Sequence, residues 1–186
     1  MPITLPPNLM VSVSGVRGRV GDPLTPELMS QIAAAFGSFM RTESAGGPIY
    51  IGRDSRVSGP MFSRAVISGL QSVGARVVDL GMVPTPTLLL AVEQEEASGG
   101  IVITASHNPA DWNALKLVTG EGVFLAKEQS ERFHHFLAQE DPQRASWDLI
   151  EPVIEDREAW QRHLSGILAL PEVDVGAIKR RGIRVA

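Results

Sequence analysis

A chain of 186 residues with 44% hydrophobic side chains can bury a substantial core, and 20% charged residues is close to the globular average. A net charge of -4 argues against nucleic acid as a partner, since nothing supplies a basic face to phosphates. The absence of cysteine excludes disulfides, thiolate zinc sites and a cysteine nucleophile, and fits a reducing compartment. No stretch approaches the length of a membrane span, and Met1-Pro2-Ile3-Thr4-Leu5 lacks a signal-peptide pattern, so a cytoplasmic protein with no membrane partner is expected. Aromatics are only 5%, which predicts an aliphatic core.

In chain order, Leu9-Met10-Val11-Ser12-Val13 predicts a first strand. Residues 14–21 follow as a loop with three glycines and the arginines Arg17 and Arg19. Such a loop can bring backbone amides and guanidinium groups to an anion, or it is a glycine-rich turn with solvated arginines. Thr25-Pro26-Glu27 has the order of a helix start, and Leu28, Ile32, Ala33, Phe36, Phe39 and Met40 recur at helical spacing to about Arg41. Pro48-Ile49-Tyr50-Ile51-Gly52 reads as a strand. Ser58-Gly59-Pro60 then opens a helix with Met61, Ala65, Val66, Leu70 and Val73 inward and Gly74 at its end. Between them, Arg53 and Arg56 sit at a strand end, where ligands bind, or form an Arg/Asp pair with Asp54 that fixes the loop.

A third strand is predicted over residues 76–80. A stiff Pro-rich turn and a helix over residues 88–97 follow. Ile101-Val102-Ile103 and Leu115-Lys116-Leu117-Val118 are two apolar runs with residues 104–114 between them. Val123-Phe124-Leu125 is a brief strand or an extended piece, and residues 127–138 form a helix with Phe133, Phe136 and Leu137 inward. His134 and His135 are neighbours on that helix and point apart, so they make a poor shared metal site and read as surface histidines. The polar stretch from Asp141 marks a domain margin. It divides the chain into residues 1–150 and residues 151–186, the latter holding an amphipathic helix with Trp160, Leu164, Ile167 and Leu168, a second helical piece and the opening of a strand at Gly182. Lys179-Arg180-Arg181 is a solvated helix end. Alternating strands and helices predict a three-layer α/β/α domain with a mixed, mostly parallel sheet.

The stretch Thr104-Ala105-Ser106-His107-Asn108-Pro109 places a serine directly after a buried strand. There is no G-x-S-x-G elbow, and neighbouring side chains on extended backbone point apart, so Ser106 and His107 make a weak acyl-transfer pair. A hydroxyl with arginines and Lys116 at hand instead suits phosphoryl chemistry, where positioning and charge stabilisation dominate. From these residues alone an Asn-Pro turn with an incidental serine remains equally open. A phosphatase would need a water-activating group that is not evident.

That hexapeptide with Asn113-Ala114-Leu115-Lys116 resembles the active-site loop of the alpha-D-phosphohexomutases, which include phosphoglucomutase, phosphomannomutase and phosphoglucosamine mutase. Ser14-Gly15-Val16-Arg17-Gly18, Gly52-Arg53-Asp54-Ser55-Arg56 with Ser58-Gly59, and Gly81-Met82-Val83-Pro84-Thr85-Pro86 agree in the family's order. The resemblance implies that Ser106 carries a phosphoryl group and interconverts hexose 1-phosphate and hexose 6-phosphate through a hexose 1,6-bisphosphate, which also serves as activator. It implies Arg17, Lys116 and His107 as catalytic partners, with Arg53, Ser14 and Asn108 as substrate or phosphate contacts. It further implies one Mg2+ held by the phosphoryl oxygens on Ser106, its remaining ligands lying in a part of the family's architecture not found in this sequence. Val11-Ser12-Val13 departs from a Phe-Gly-Thr found in many members. The chain is thus expected to be the first domain plus the start of the second, lacking the rest of domains II–IV and inactive by itself. The competing expectation is a non-catalytic phosphosugar-binding or remnant domain.

Overall fold

The structure is a computed structural model and describes residues 3–13, 15–44 and 46–184. Ser14, one of the expected phosphate contacts, lies outside the described residues. In chain order the elements are β1 (Met10–Ser12), β2 (Gly15–Arg19), α1 (Pro26–Glu43), β3 (Ile49–Arg53), α2 (Gly59–Gln71), β4 (Val77–Met82), α3 (Thr85–Gln94), β5 (Gly99–Ile103), β6 (Trp112–Thr119), α4 (Lys127–Gln139), β7 (Ile154–Glu155), α5 (Ala159–Leu168) and α6 (Val175–Arg181).

The seven strands form one sheet in the order β1-β2-β6-β5-β3-β4-β7. The pairings β5–β3, β3–β4 and β4–β7 are parallel, whereas β1–β2, β2–β6 and β6–β5 are antiparallel. Among the described residues, β1 and β6 therefore run against the other five strands. The chain leaves β3 through α2 to reach β4, then returns through α3 to β5 on the other side of β3. These two crossovers place their helices on opposite faces of the sheet.

Helices α1, α2 and α4 cover one face. Their Phe36, Phe62, Leu70 and Phe133 close over Ile49, Ile51, Ile101, Ile103, Leu115 and Leu117 of the strands. Helix α3, backed by Ala159 of α5, covers the other face over Tyr50, Val78, Leu80, Val102 and Val118. Thr25 caps α1 as its sequence predicts, its Oγ1 accepting from the Leu28 amide at 3.3 Å with Pro26 in the first turn. Helices α1 and α2 cross closely because Gly69 has no side chain; a Cβ there would stand 2.2 Å from the Ser30 carbonyl oxygen. The core is mainly aliphatic as expected, but the few phenylalanines are concentrated. Phe36, Phe39, Phe133 and Phe136 meet at centroid distances of 5.5 to 5.8 Å between α1 and α4.

Several expectations are corrected. The glycine-rich stretch after residue 14 is a strand, β2, not a loop. Glycine lowers strand propensity and so masks it. Here Gly15, at φ +133, lets the backbone press on β6, where a Cβ would fall 2.0 Å from the Leu115 oxygen. On α2 the buried residue is Phe62, and Met61 is turned outward. Helix α3 starts at Thr85, earlier than expected, because Pro86 fits a first turn. Around residues 123–125 there is only one bridge, Val118 to Phe124. Residues 182–184 do not extend as a strand: Gly182 ends α6 in the left-handed conformation. His135 is exposed as expected, but His134 is half-buried beside Ser130.

Candidate active site

Strand β5 is buried throughout and ends at Ile103, and β6 begins at Trp112. The connection over residues 104–111 stands beyond the carboxyl end of β5. The loop after β3 stands beside it, since β3 and β5 are hydrogen-bonded neighbours. The carboxyl edge at such a reversal of strand order is where α/β sheets bind ligands. Thr104 and Ala105 are still buried, and Ser106 and His107 are exposed.

Ser106 has φ +56, the left-handed region, which costs a residue with a Cβ about 1 kcal/mol. It is held there from both sides. Its amide donates to Thr104 Oγ1 at 3.1 Å, and its carbonyl accepts from Arg56 Nη2 at 3.0 Å. Thr104 in turn donates its hydroxyl to Asp54 Oδ2 at 2.8 Å. Asp54 also accepts from Arg56, Oδ1 from the backbone amide and Oδ2 from Nε, each at 3.0 Å.

The remaining Arg56 donors go to the same loop. Nη1 donates to the carbonyls of Pro109 at 2.6 Å and Trp112 at 3.2 Å, and Nη2 also donates to that of Asn108 at 2.7 Å. Below the loop, fully buried Asn113 donates to Ser58 Oγ at 2.9 Å and accepts from the Ala114 amide, which ties the start of β6 to the start of α2. Of the two readings for the Arg53–Arg56 stretch, the loop-fixing pair is the one realised by Asp54 and Arg56. Arg53 is half-buried; its Nη1 donates to the Asp54 carbonyl at 3.2 Å, and its side chain packs on Gly59 at the head of α2.

Arg17 reaches the loop from β2, donating from Nη1 to Asn108 Oδ1 at 2.8 Å. Lys116 lies on the same face of the sheet, because Ala114, opposite Arg17, is two residues before it on β6. The Lys116 ammonium stands 5.2 Å from the Phe124 ring centroid. Burial, and then the Arg17 guanidinium, hold the Lys116 pKa below the ordinary lysine value. The second arginine of the stretch, Arg19, pairs with Asp111 at 3.3 Å at the far end of the loop.

The structure thus brings Ser106, Asn108, Arg17 and Lys116 to one open edge, with exposed His107 on the same loop and Arg53 at its side. Thr104, Asp54, Arg56 and Asn113 support the loop: Asp54 and Arg56 are the pair expected to fix it, and Thr104 and Asn113 had been given no role. The signal for two of them was the alternation of Arg and Asp straight after a buried strand. No group of three or more His, Asp or Glu among the described residues is placed to hold a metal.

A serine displayed at the carboxyl edge of a sheet covered by helices on both faces, with two cations on the adjoining face, places the chain in the layered α/β class. Its family follows from comparison with known proteins. The family profile described as phosphoglucomutase/phosphomannomutase, alpha/beta/alpha domain I matches residues 9–144, so the chain belongs to the phosphoglucomutase/phosphomannomutase family. It is 40% identical over 177 residues to the phosphoglucomutase/phosphomannomutase of Thermococcus kodakarensis, covering 90% of this chain and 36% of that protein. It is 37% identical to the phosphoglucosamine/phosphogalactosamine mutase of Sulfurisphaera tokodaii, covering 95% of this chain and 38% of that protein. A crystal structure of a phosphoglucomutase/phosphomannomutase family protein from Burkholderia thailandensis superposes with a TM-score of 0.65 at 30% identity, covering 82% of this chain and 35% of that one. The chain spans little more than a third of the length of these relatives.

Proposed function

We propose that this chain is the phosphoserine-bearing part of a hexose-phosphate mutase. The observation that carries the reading is the exposed, left-handed Ser106 at the edge shared by Arg17 and a Lys116 whose charge is disfavoured. In the proposed reaction a hydroxyl oxygen of a hexose monophosphate attacks the phosphorus on Ser106. The new oxygen–phosphorus bond forms as the bond to the Ser106 oxygen breaks, giving a hexose 1,6-bisphosphate. The sugar then turns, and the Ser106 oxygen takes back the other phosphoryl group. In its neutral form Lys116 accepts the sugar hydroxyl's proton and passes it to the departing Ser106 oxygen; in the second transfer it takes the proton from the Ser106 hydroxyl and gives it to the departing sugar oxygen. Arg17 stabilises charge on the phosphoryl oxygens from its place on Asn108, and Arg53, Asn108 and His107 line the path of the substrate phosphate. Membership of the family and the loop geometry support these roles.

Mg2+ is part of the same family expectation. Among the described residues the side chains do not amount to a metal centre, and the phosphoryl oxygens on Ser106 would be this chain's ligands to the ion, which would neutralise charge on the phosphoryl group. In this reading residues 151–186 lead into a second domain, and the substrate's sugar is selected outside this chain.

The test is intact-mass measurement after incubation with hexose 1,6-bisphosphate. One added phosphate is expected, and none in Ser106→Ala. Uptake that survives Ser106→Ala would remove the serine from its role, and no uptake by the unaltered chain would favour a domain that binds without carrying. Supplied with hexose 1-phosphate and a trace of the bisphosphate, the 186-residue chain should turn over little. Robust mutase activity from it would overturn the partial-site reading.

A further inference from the structure

We propose that Arg56, seated on Asp54, is a positioning residue that imposes the left-handed conformation of Ser106 and so sets the rate of phosphoryl transfer; the rate part of this statement rests on the function proposed above, and the conformational part does not.

A guanidinium has five N–H donors. In Arg56 each has a partner: Nε on the Asp54 carboxylate, and the four Nη hydrogens on the carbonyls of Ser106, Asn108, Pro109 and Trp112. Its side chain is only 12% exposed. A cation so fully engaged has no donor left for a substrate phosphate, which separates it from Arg17 on the open face. Four carbonyls of one loop converge on it, two of them flanking the exposed His107. The fork geometry matters, because an ammonium has three donors and no fixed plane. Asp54 neutralises the guanidinium and orients it, and its second partner, Thr104, holds the Ser106 amide. The same carboxylate therefore reaches Ser106 by two routes, one to each side of its α-carbon. Ser106 is strained only as long as both routes hold it, since nothing in a serine favours φ +56 by itself.

The experiment is a double-substitution cycle on thermal stability, joined to a phosphorylation rate. Glycine adopts the left-handed region without strain, so Ser106→Gly should raise Tm by about 2–4 °C in the unaltered chain. In an Arg56→Lys background that gain should vanish, because the released loop no longer holds position 106 at positive φ. An equal gain in both backgrounds would overturn the proposal, since the conformation would then belong to the loop and not to the clamp. Thr104→Val supplies a second background should Arg56→Lys fail to fold. With Ser106 intact, Arg56→Lys should slow phosphate uptake from saturating hexose 1,6-bisphosphate by about 10-fold or more, with the half-saturating concentration unchanged. An unchanged rate, or a change in half-saturation alone, would overturn the positioning role. Should the unaltered chain take up no phosphate at all, the function proposed above fails while the stability cycle still decides the clamp.

Discussion

The two faces of β6 carry opposite work within one strand. Leu115 and Leu117 point into the face roofed by α1, α2 and α4 and are buried there. Lys116, between them, points to the face that α3 covers only further along the sheet, where Val102 and Val118 are buried. The strand alternates because its period is two, so neighbouring residues are assigned to opposite faces. The roof is uneven: three helices pack on one side, and the single helix α3 with the start of α5 packs on part of the other. Where the second roof stops, the sheet presents Arg17 and Lys116 beside the serine loop. Buried leucines and a half-buried cation are thus separated by one residue step, and the bare part of the sheet is where the cations stand.

The sharpest break between the faces is at Lys116. On the function proposed above, Lys116→Met should slow phosphate uptake at Ser106 by about 10²–10⁴-fold while changing stability by no more than about 0.5 kcal/mol, read by intact-mass kinetics and urea melts. The pH profile sharpens this. Burial and Arg17 lower the lysine's folded pKa, so the rate should rise with pH along a limb that levels off below the ordinary lysine range, and Lys116→Arg should erase that limb. The unfolded chain binds more protons at this site than the folded one, so its contribution to stability also grows with pH across the window between the two values.

On the roofed face the outcome inverts. Leu115→Ala should cost about 2–5 kcal/mol in a urea melt, because it opens a hole under α1 and α2. If Lys116→Met destabilised the chain as much as Leu115→Ala, the two faces would not be divided as described. The smallest effect is on His134, half-buried on α4, whose protonation burial disfavours. Its folded pKa is below its unfolded value, so stability should fall as pH drops from about 7 to about 5, where the unfolded chain takes up the proton more readily. His134→Leu should flatten that dependence in thermal melts.

Periodicity and punctuation are local, and what they encode was legible. Thr25-Pro26 fixed the start of α1, the 3.6-residue recurrence fixed its buried side, and the alternating elements gave a layered α/β domain. Ser106 and its loop could be found because an apolar run ending in polar residues marks a strand end without reference to the rest of the chain. What needed tertiary contact was not legible. Gly15-Val16-Arg17-Gly18 looked like a loop because its glycines lack strand propensity, yet they are required where β2 presses on β6, nearly a hundred residues away in sequence. Phe62 outcompeted Met61 for the interior because helix α1, not α2 alone, decides which side of α2 is dry.

The same division runs through the site. By itself the sequence determined that a serine follows a buried strand, that arginines and a lysine are available, and that a family pattern links them. Only the folded chain decided which atoms they meet. It sent Arg17 to Asn108, turned Arg56 inward until all its donors were taken, and left Lys116 where burial and a neighbouring cation make its charge costly. Residue identity supplies a donor or a charge, but which atoms it meets, and how much water surrounds it, are set by strands and loops that converge from more than fifty positions apart.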